Sequence, residues 1–221
     1  MKSVEKIVDE KKLYQQRFED TDMRNNMWKI LCTNFFQKYI PEDCTIVEIA
    51  AGYCEFINNI KAKNKIAVDI NEDVKMRASK EVQAFISLST DLSKIENQSI
   101  DRIFISNFFE HISKSDIEKT LVECLRILKS DGKILILQPN IRFVRKDYWM
   151  FWDHITPIDD RALVECMNIL GYKINLCIPR FLPYTTSSFL PVSMTLLKIY
   201  LRIPLLYKIF GGQAFIIASK S

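Results

Sequence analysis

One short run narrows the architectures open to this chain: Thr45-Ile46-Val47-Glu48-Ile49, then Ala50-Ala51-Gly52-Tyr53-Cys54, then Glu55-Phe56. Residues rich in β-branched side chains predict a buried strand, the small residues predict a tight bend, and Glu55-Phe56 opens the next apolar-periodic segment. Such a bend lets a ligand approach the backbone and turns N–H groups toward it at a helix start. An ordinary strand-to-helix turn has the same local pattern, so the rest of the chain has to decide.

The alternation repeats downstream. Strand patterns fall at 45–49, 65–69, 84–88, 102–106, 133–138, 173–178 and 213–218. Upstream, residues 24–40 place Trp28, Ile30, Leu31, Phe35, Phe36 and Tyr39 at helical spacing, and Pro41 marks their end. Ser115-x-x-Glu118 reads as a capping box for a helix carrying Ile117, Leu121, Leu125 and Leu128, which Gly132 would end. Another helix is predicted from about Asp159 to Leu170, with Leu163, Cys166, Met167 and Leu170 inward and Gly171 at its end. This order predicts an α/β fold with a doubly wound, mainly parallel sheet, whose ligands bind at the carboxyl ends of strands where the strand order switches. The turn at 50–54 lies there for the first strand.

A length of 221 residues with 48% hydrophobic content is enough for one full core. The net charge of +4 is spread without a basic block, so no nucleic-acid partner is expected. Six cysteines are scattered with neither a C-x-x-C pair nor metal-ligand spacing, which predicts reduced thiols in an intracellular protein and no metal. The first residues, MKSVEKIVDEKK, have no apolar core of a secretion signal, and Lys198, Arg202 and Lys208 interrupt the only long apolar stretch. The expected location is cytoplasmic, or peripheral at the inner face of a membrane.

The small positions at 50, 52 and 54, with Glu48 two residues ahead, differ from the G-x-G-x-x-G spacing whose turn receives a pyrophosphate. Asp69, after Ile66-Ala67-Val68, is placed to accept hydrogen bonds from both hydroxyls of a ribose, or simply to sit solvated after a strand. Asp91-Leu92 follows the third strand pattern, where the acid alone reads equally as a loop cap. Ser106-Asn107-Phe108-Phe109-Glu110-His111-Ile112 follows the fourth strand pattern and carries one of only two histidines. His111 is suited to general-base work or to a loop hydrogen bond. Gln138-Pro139-Asn140-Ile141-Arg142 follows the fifth. Tyr148-Trp149-Met150-Phe151-Trp152-Asp153-His154 then places four aromatic residues beside the second histidine. This segment reads as an acceptor pocket or as a lid over the core, and neighbours Asp153 and His154 point apart on extended chain. Beyond Phe181-Leu182-Pro183-Tyr184, an apolar stretch at 189–210 reads as a helix whose Thr195, Lys198 and Arg202 stripe opposes Leu196, Leu197, Ile199, Tyr200 and Ile203. It would lie on a membrane surface, on its own domain or on a twin subunit.

Taken in order, E-I-A-A-G-Y-C-E-F, A-V-D, S-N-F-F-E-H-I, L-K-S-D-G-K-I-L-I-L-Q-P-N-I-R and R-F-L-P-Y-T-T resemble the class I S-adenosylmethionine-dependent methyltransferases of the kind associated with bacterial cell-surface glycan synthesis. The resemblance spans about residues 25–220. It implies a Rossmann-like sheet with an antiparallel last strand, an N-terminal helical segment at 1–40, and a domain at 41–221 with a helical, apolar insertion at about 181–211. It implies S-adenosylmethionine as cofactor and methyl transfer to a small-molecule or glycan acceptor, with a hydroxyl oxygen as the acceptor atom. A catalytically degenerate scaffold in a glycan-assembly complex is the alternative. Glu48, Ala50, Ala51, Gly52 and Cys54 would hold the methionine part, Asp69 and Ile70 the ribose, Asp91 and Leu92 the adenine, and Asn107 and Phe108 the edge bearing the methyl group. His111 and His154 would act as bases, and Asn140, Arg142, Tyr148, Trp149, Trp152 and Tyr184 would meet the acceptor. Peripheral membrane contact through 189–210 and a homodimer are the partner expectations. Ala50 and Cys54 stand where the family usually has glycine, so a positive φ required at either would weaken cofactor binding.

Overall fold

The structure, a computed structural model, describes residues 21–184 and 193–221. The expectations for 1–20 and 185–192, including part of the apolar stretch, lie outside the described residues. Seven strands form one sheet: β1 (Thr45–Ile49), β2 (Asn64–Asp69), β3 (Val82–Ile86), β4 (Ile100–Ser106), β5 (Leu128–Pro139), β6 (Tyr172–Ile178) and β7 (Gln213–Lys220). Their order is β3-β2-β1-β4-β5-β7-β6. Strands β1 to β5 are parallel, and β7 runs antiparallel between β5 and β6. The predicted doubly wound, mostly parallel sheet with an antiparallel last strand is what forms. The order reverses between β1 and β4, and the loops after both strands carry the predicted site.

Helices cover both faces: α1 (Thr21–Asn34), α2 (Glu55–Asn59), α3 (Val74–Arg77), α4 (Lys114–Ile127), α5 (Ile141–Val144), α6 (Asp160–Ile169), α7 (Met194–Arg202) and α8 (Pro204–Phe210). One core layer joins α1, α2, α7 and α8 to the sheet through Trp28, Phe36, Phe56, Phe104, Phe181 and Phe215, with Phe56 stacked on Phe104 at 3.6 Å between centroids. The other places α4 and α6 on the opposite face through Leu121, Cys124, Ile127, Leu163 and Met167. Trp28, Leu31 and Cys32 of α1 are buried in the shared core, so the described part of the N-terminal helical segment packs as part of the same body.

Four local expectations are corrected. The cap of α4 is Ser113, whose hydroxyl accepts from the Asp116 N–H and donates to the Asp116 carboxylate; Ser115 lies inside the helix. The cap thus lies two residues before the predicted one, with a side-chain hydrogen bond to Asp116 in place of a full capping box. Gly132 does not end that helix: α4 stops at Ile127 and Gly132 is buried inside β5, where an added Cβ would meet Leu128 at 2.7 Å and the Ile100 carbonyl oxygen at 3.0 Å. Strand β3 begins at Val82, ahead of the 84–88 pattern. In α7 the buried side chains are Tyr200 and Leu201, while Leu196 and Ile199 are exposed beside Lys198 and Arg202. Predicted apolar and polar stripes are therefore mixed on the outer face.

Candidate functional site

The turn after β1 keeps the conformation of a glycine motif with only one glycine. Ala50, Gly52 and Cys54 have φ of 56°, 52° and 61°. Both substituted positions thus take the left-handed backbone that a Cβ disfavours, at about 1–3 kcal/mol each. Internal hydrogen bonds hold the turn: Ala51 N donates to the Val68 carbonyl and Cys54 N to that of Ala51. The Cys54 side chain fills buried space under α3, its Sγ 3.9 Å from the Val74 carbonyl oxygen, and burial pushes its thiol pKa up.

Carboxylates surround this turn. Glu48 is 4% exposed and accepts from Ile57 N at 3.1 Å. Asp69 accepts from Gly52 N and Asn71 N, both at 2.8 Å, and so ties the β1 turn to the end of β2. Glu55 is also buried, but the Arg24 guanidinium pairs with it in bidentate fashion at 2.8 and 3.3 Å. Glu48 and Asp69 have no ion-pair partner among the described residues. Burial raises the pKa of both, and the charges of Glu55 and Asp69 add to the rise at Glu48. Helix α2 is only five residues long and its Ile57 N–H is already donated to Glu48, so little is left to receive an anion.

Asp91 is exposed, and Ser93 holds its carboxyl below the usual range. The Leu92 side chain is buried and its N–H is donated to Glu123 at 2.9 Å, which leaves that N–H engaged and not facing a base edge. Ile70, beside Asp69, is exposed.

After β4, Asn107 takes φ of 46° and its N–H bonds the Leu137 carbonyl, turning the chain into a single 3-10 turn, Phe109–His111. Phe109 and Glu110 are buried, while Asn107 is exposed and Phe108 is half-buried. The segment after a second 3-10 turn, Arg145–Met150, folds back over this loop: Ile155 N and Thr156 N both donate to the Glu110 carbonyl. That strap brings the chain's two histidines together, with ring centroids 4.8 Å apart at 78°. Asp153 meets His111 across the strap, Oδ2 to Nδ1 at 3.2 Å. His111 Nε2 lies 3.7 Å from Glu110 Oε1, and Glu110 Oε2 accepts from Gln138 Nε2 at 2.8 Å. Burial lowers the His111 pKa, but the Asp153 hydrogen bond and the charges of Glu110 and Asp153 outweigh it and leave it raised. Sequence reasoning missed the pairing of Asp153 with His111 and the part of Gln138, because 42 residues separate the first pair and no local pattern links them.

The six residues expected to meet an acceptor divide. Tyr148 is fully buried, its hydroxyl donating to the Thr156 carbonyl, and Asn140 is fully buried, capping α5 and donating to Asp160 and the Pro179 carbonyl. Both are held by internal hydrogen bonds. Arg142 is paired with Asp160 at 2.7 Å. Trp149 and Trp152 are exposed at 53% and 77%, and the half-buried Tyr184 sets its ring edge-on to Phe151.

Residues 47–136 match a family model described as a methyltransferase domain. No curated protein matches the chain. Similar solved structures include an S-adenosylmethionine-dependent methyltransferase from Archaeoglobus fulgidus, with 19% identity over 96% of this chain and 100% of that one and a TM-score of 0.68. Another, from Mesorhizobium loti, has 12% identity over 83% and 94% and a TM-score of 0.59. A third is geranyl diphosphate C-methyltransferase from Streptomyces coelicolor in complex with Mg2+, geranyl diphosphate and S-adenosyl-L-homocysteine, with 15% identity over 96% and 84% and a TM-score of 0.58. The chain therefore has the fold of the class I S-adenosylmethionine-dependent methyltransferases, and the segment from β1 into β5 matches the methyltransferase domain model.

Proposed function

We propose that the protein is an S-adenosylmethionine-dependent methyltransferase acting on a hydroxyl oxygen of a small-molecule or glycan acceptor. The observation that carries this reading is the charge of the turn: two carboxylates, the buried Glu48 and the half-buried Asp69, without ion-pair partners among the described residues, around a glycine-type bend. A pyrophosphate would be repelled there, whereas a sulfonium bearing an amino-acid ammonium supplies the missing positive charge. Glu48 and the 50–54 backbone hold the methionine part, Asp69 and Ile70 the ribose, Asp91 and Leu92 border the adenine, and Asn107 and Phe108 border the methyl group. In transfer, a lone pair of the acceptor oxygen forms the new O–C bond while the C–S bond breaks and its electrons return to sulfur. His111 or His154 takes the hydroxyl proton. The exposed Trp149 and Trp152 and the rim residues Arg142 and Tyr184 offer faces and hydrogen bonds to a sugar.

Isothermal titration with S-adenosylhomocysteine tests the reading. Binding is expected, weakened by about 1–3 kcal/mol in Asp69→Ala. No heat at millimolar ligand, with the protein folded, overturns it and favours the degenerate scaffold.

The partner surface we propose is an anionic bilayer met by α7 and α8. After Glu165 the sequence holds six lysines and arginines and no acidic residue. Leu196, Ile199, Ile203, Leu205, Ile209 and Phe210 are exposed along these helices, among exposed Lys198, Arg202 and Lys208. An apolar face on helices whose own charged residues are all cations matches a membrane interface with anionic headgroups. Among the described residues no helix is long and apolar enough to cross a membrane.

A further inference from the structure

We propose that Glu110, His111 and His154 form a binding site for a single divalent transition-metal cation at the acceptor edge of the sheet. The sequence contains two histidines, and the fold brings both to one buried carboxylate, so that one ligand atom from each of the three residues lies within 4.8 Å of the others. Metal–ligand bonds of about 2.0–2.2 Å place tetrahedral ligand atoms about 3.4 Å apart, so the cluster needs only a small closure.

The orientation of each group fits this role. His111 turns Nδ1 toward Asp153, at 3.2 Å from Oδ2 and 3.3 Å from the backbone oxygen. An N–H there fixes the tautomer that leaves the Nε2 lone pair facing Glu110, the carboxylate–histidine arrangement that commonly stands behind a metal ligand. Glu110 is 1% exposed, and Gln138 donates to Oε2, leaving Oε1 directed at His111 across 3.7 Å. Two acceptors facing one another across that gap repel unless a proton or a metal cation stands between them, and a metal cation there competes with the proton for the same lone pair. Tyr148 and Phe151 pack on the His154 ring at 4.9 and 5.1 Å between centroids and hold it toward the cluster.

Two imidazoles and one carboxylate suit Zn2+, Co2+ or Fe2+ better than Mg2+ or Ca2+. Three protein ligands leave a coordination position open, the pattern of reactive and not structural sites. Binding of the cation is independent of the methyl-transfer reading. Its consequence rests on that reading: with the cation bound, an acceptor hydroxyl in the open position would be oriented and would release its proton to water, and the imidazoles would act as ligands in place of the base role they have in the metal-free site.

Chelator-treated, tag-free protein titrated with Co2+ tests the site. The expected result is one Co2+ per chain with visible d–d absorption, no thiolate charge-transfer band, displacement by Zn2+ and no displacement by Mg2+. The signal is lost in Glu110→Gln and in His154→Ala. Absent binding at millimolar Co2+, or binding unchanged in folded variants, overturns the proposal. Should the variants fail to fold, diethylpyrocarbonate modification of the wild-type protein decides, since both histidines belong to the cluster. Zn2+ is expected to slow their modification at least tenfold, and equal rates with and without Zn2+ overturn the site. Titration with S-adenosylhomocysteine in parallel reads the cofactor site separately, so failure of either idea leaves the other measured.

Discussion

Ala50 carries a cost that glycine would not. Its φ of 56° is paid without any buried packing in return, because its side chain is half-exposed. Ala50→Gly is expected to raise stability by about 1 kcal/mol, read as a higher midpoint in urea. Cys54→Gly relieves the same backbone strain but empties buried space under Val74, so its gain is smaller. The damaged glycine motif is thus damaged in side chain and intact in backbone, and affinity for S-adenosylhomocysteine measured alongside shows whether the two extra β-carbons obstruct the ligand. Glu48 gives a pH signature. Burial raises its native pKa above the ordinary carboxylate value, so the folded state binds the proton more tightly than the unfolded chain. Its contribution is fully favourable below the unfolded value and is lost as pH rises through the native one. Glu48→Gln is expected to flatten that part of the stability–pH curve and to be more stable than wild type at neutral pH, while binding cofactor more weakly. An unchanged curve removes Glu48 as its source.

Helix boundaries show which local signals compete. Two serines two residues apart both offer a capping pattern before the apolar run of α4, and the fold uses Ser113 with Asp116. Ser113→Ala is expected to cost about 1 kcal/mol and Ser115→Ala close to nothing, compared by thermal unfolding. Gly132 looked like a helix stop because it follows the last periodic leucine. It serves instead where β5 passes close to the Ile100 carbonyl, a contact between strands that no window around residue 132 contains. The strand-rich runs are legible for a different reason: strands buried on both faces are continuous apolar stretches, and the parallel β1, β2 and β4 and the antiparallel β7 lie where those stretches predict. Helix α7 was read with its stripes too cleanly separated. Tyr200 donates its hydroxyl to the Phe181 carbonyl and packs on Tyr207 of α8, while apolar residues also face outward.

At the scale of the whole molecule, the outward apolar residues of α7 and α8 and the acid-free last quarter of the chain predict association with vesicles. Binding in co-sedimentation is expected to rise with the fraction of phosphatidylserine and to fall at high salt. Leu205→Glu with Phe210→Glu is expected to reduce it at least tenfold. A concentration-dependent dimer that the same double variant abolishes, without vesicle binding, would assign the face to a second copy of the chain. The sequence by itself determined the alternation, the position of the small-residue turn at the switch between β1 and β4, and the acids around it, because strand burial, tight turns and strand-end residues are encoded within a few neighbouring positions. Only the tertiary structure decided that Ala50 and Cys54 adopt glycine-type backbone, that Asn140 and Tyr148 are buried, and that Glu110, His111, Asp153 and His154 converge. The last of these depends on where the strap after residue 150 folds back across the β4 loop, and pairing over some forty residues is set by the packing of the whole sheet, not by any local spacing.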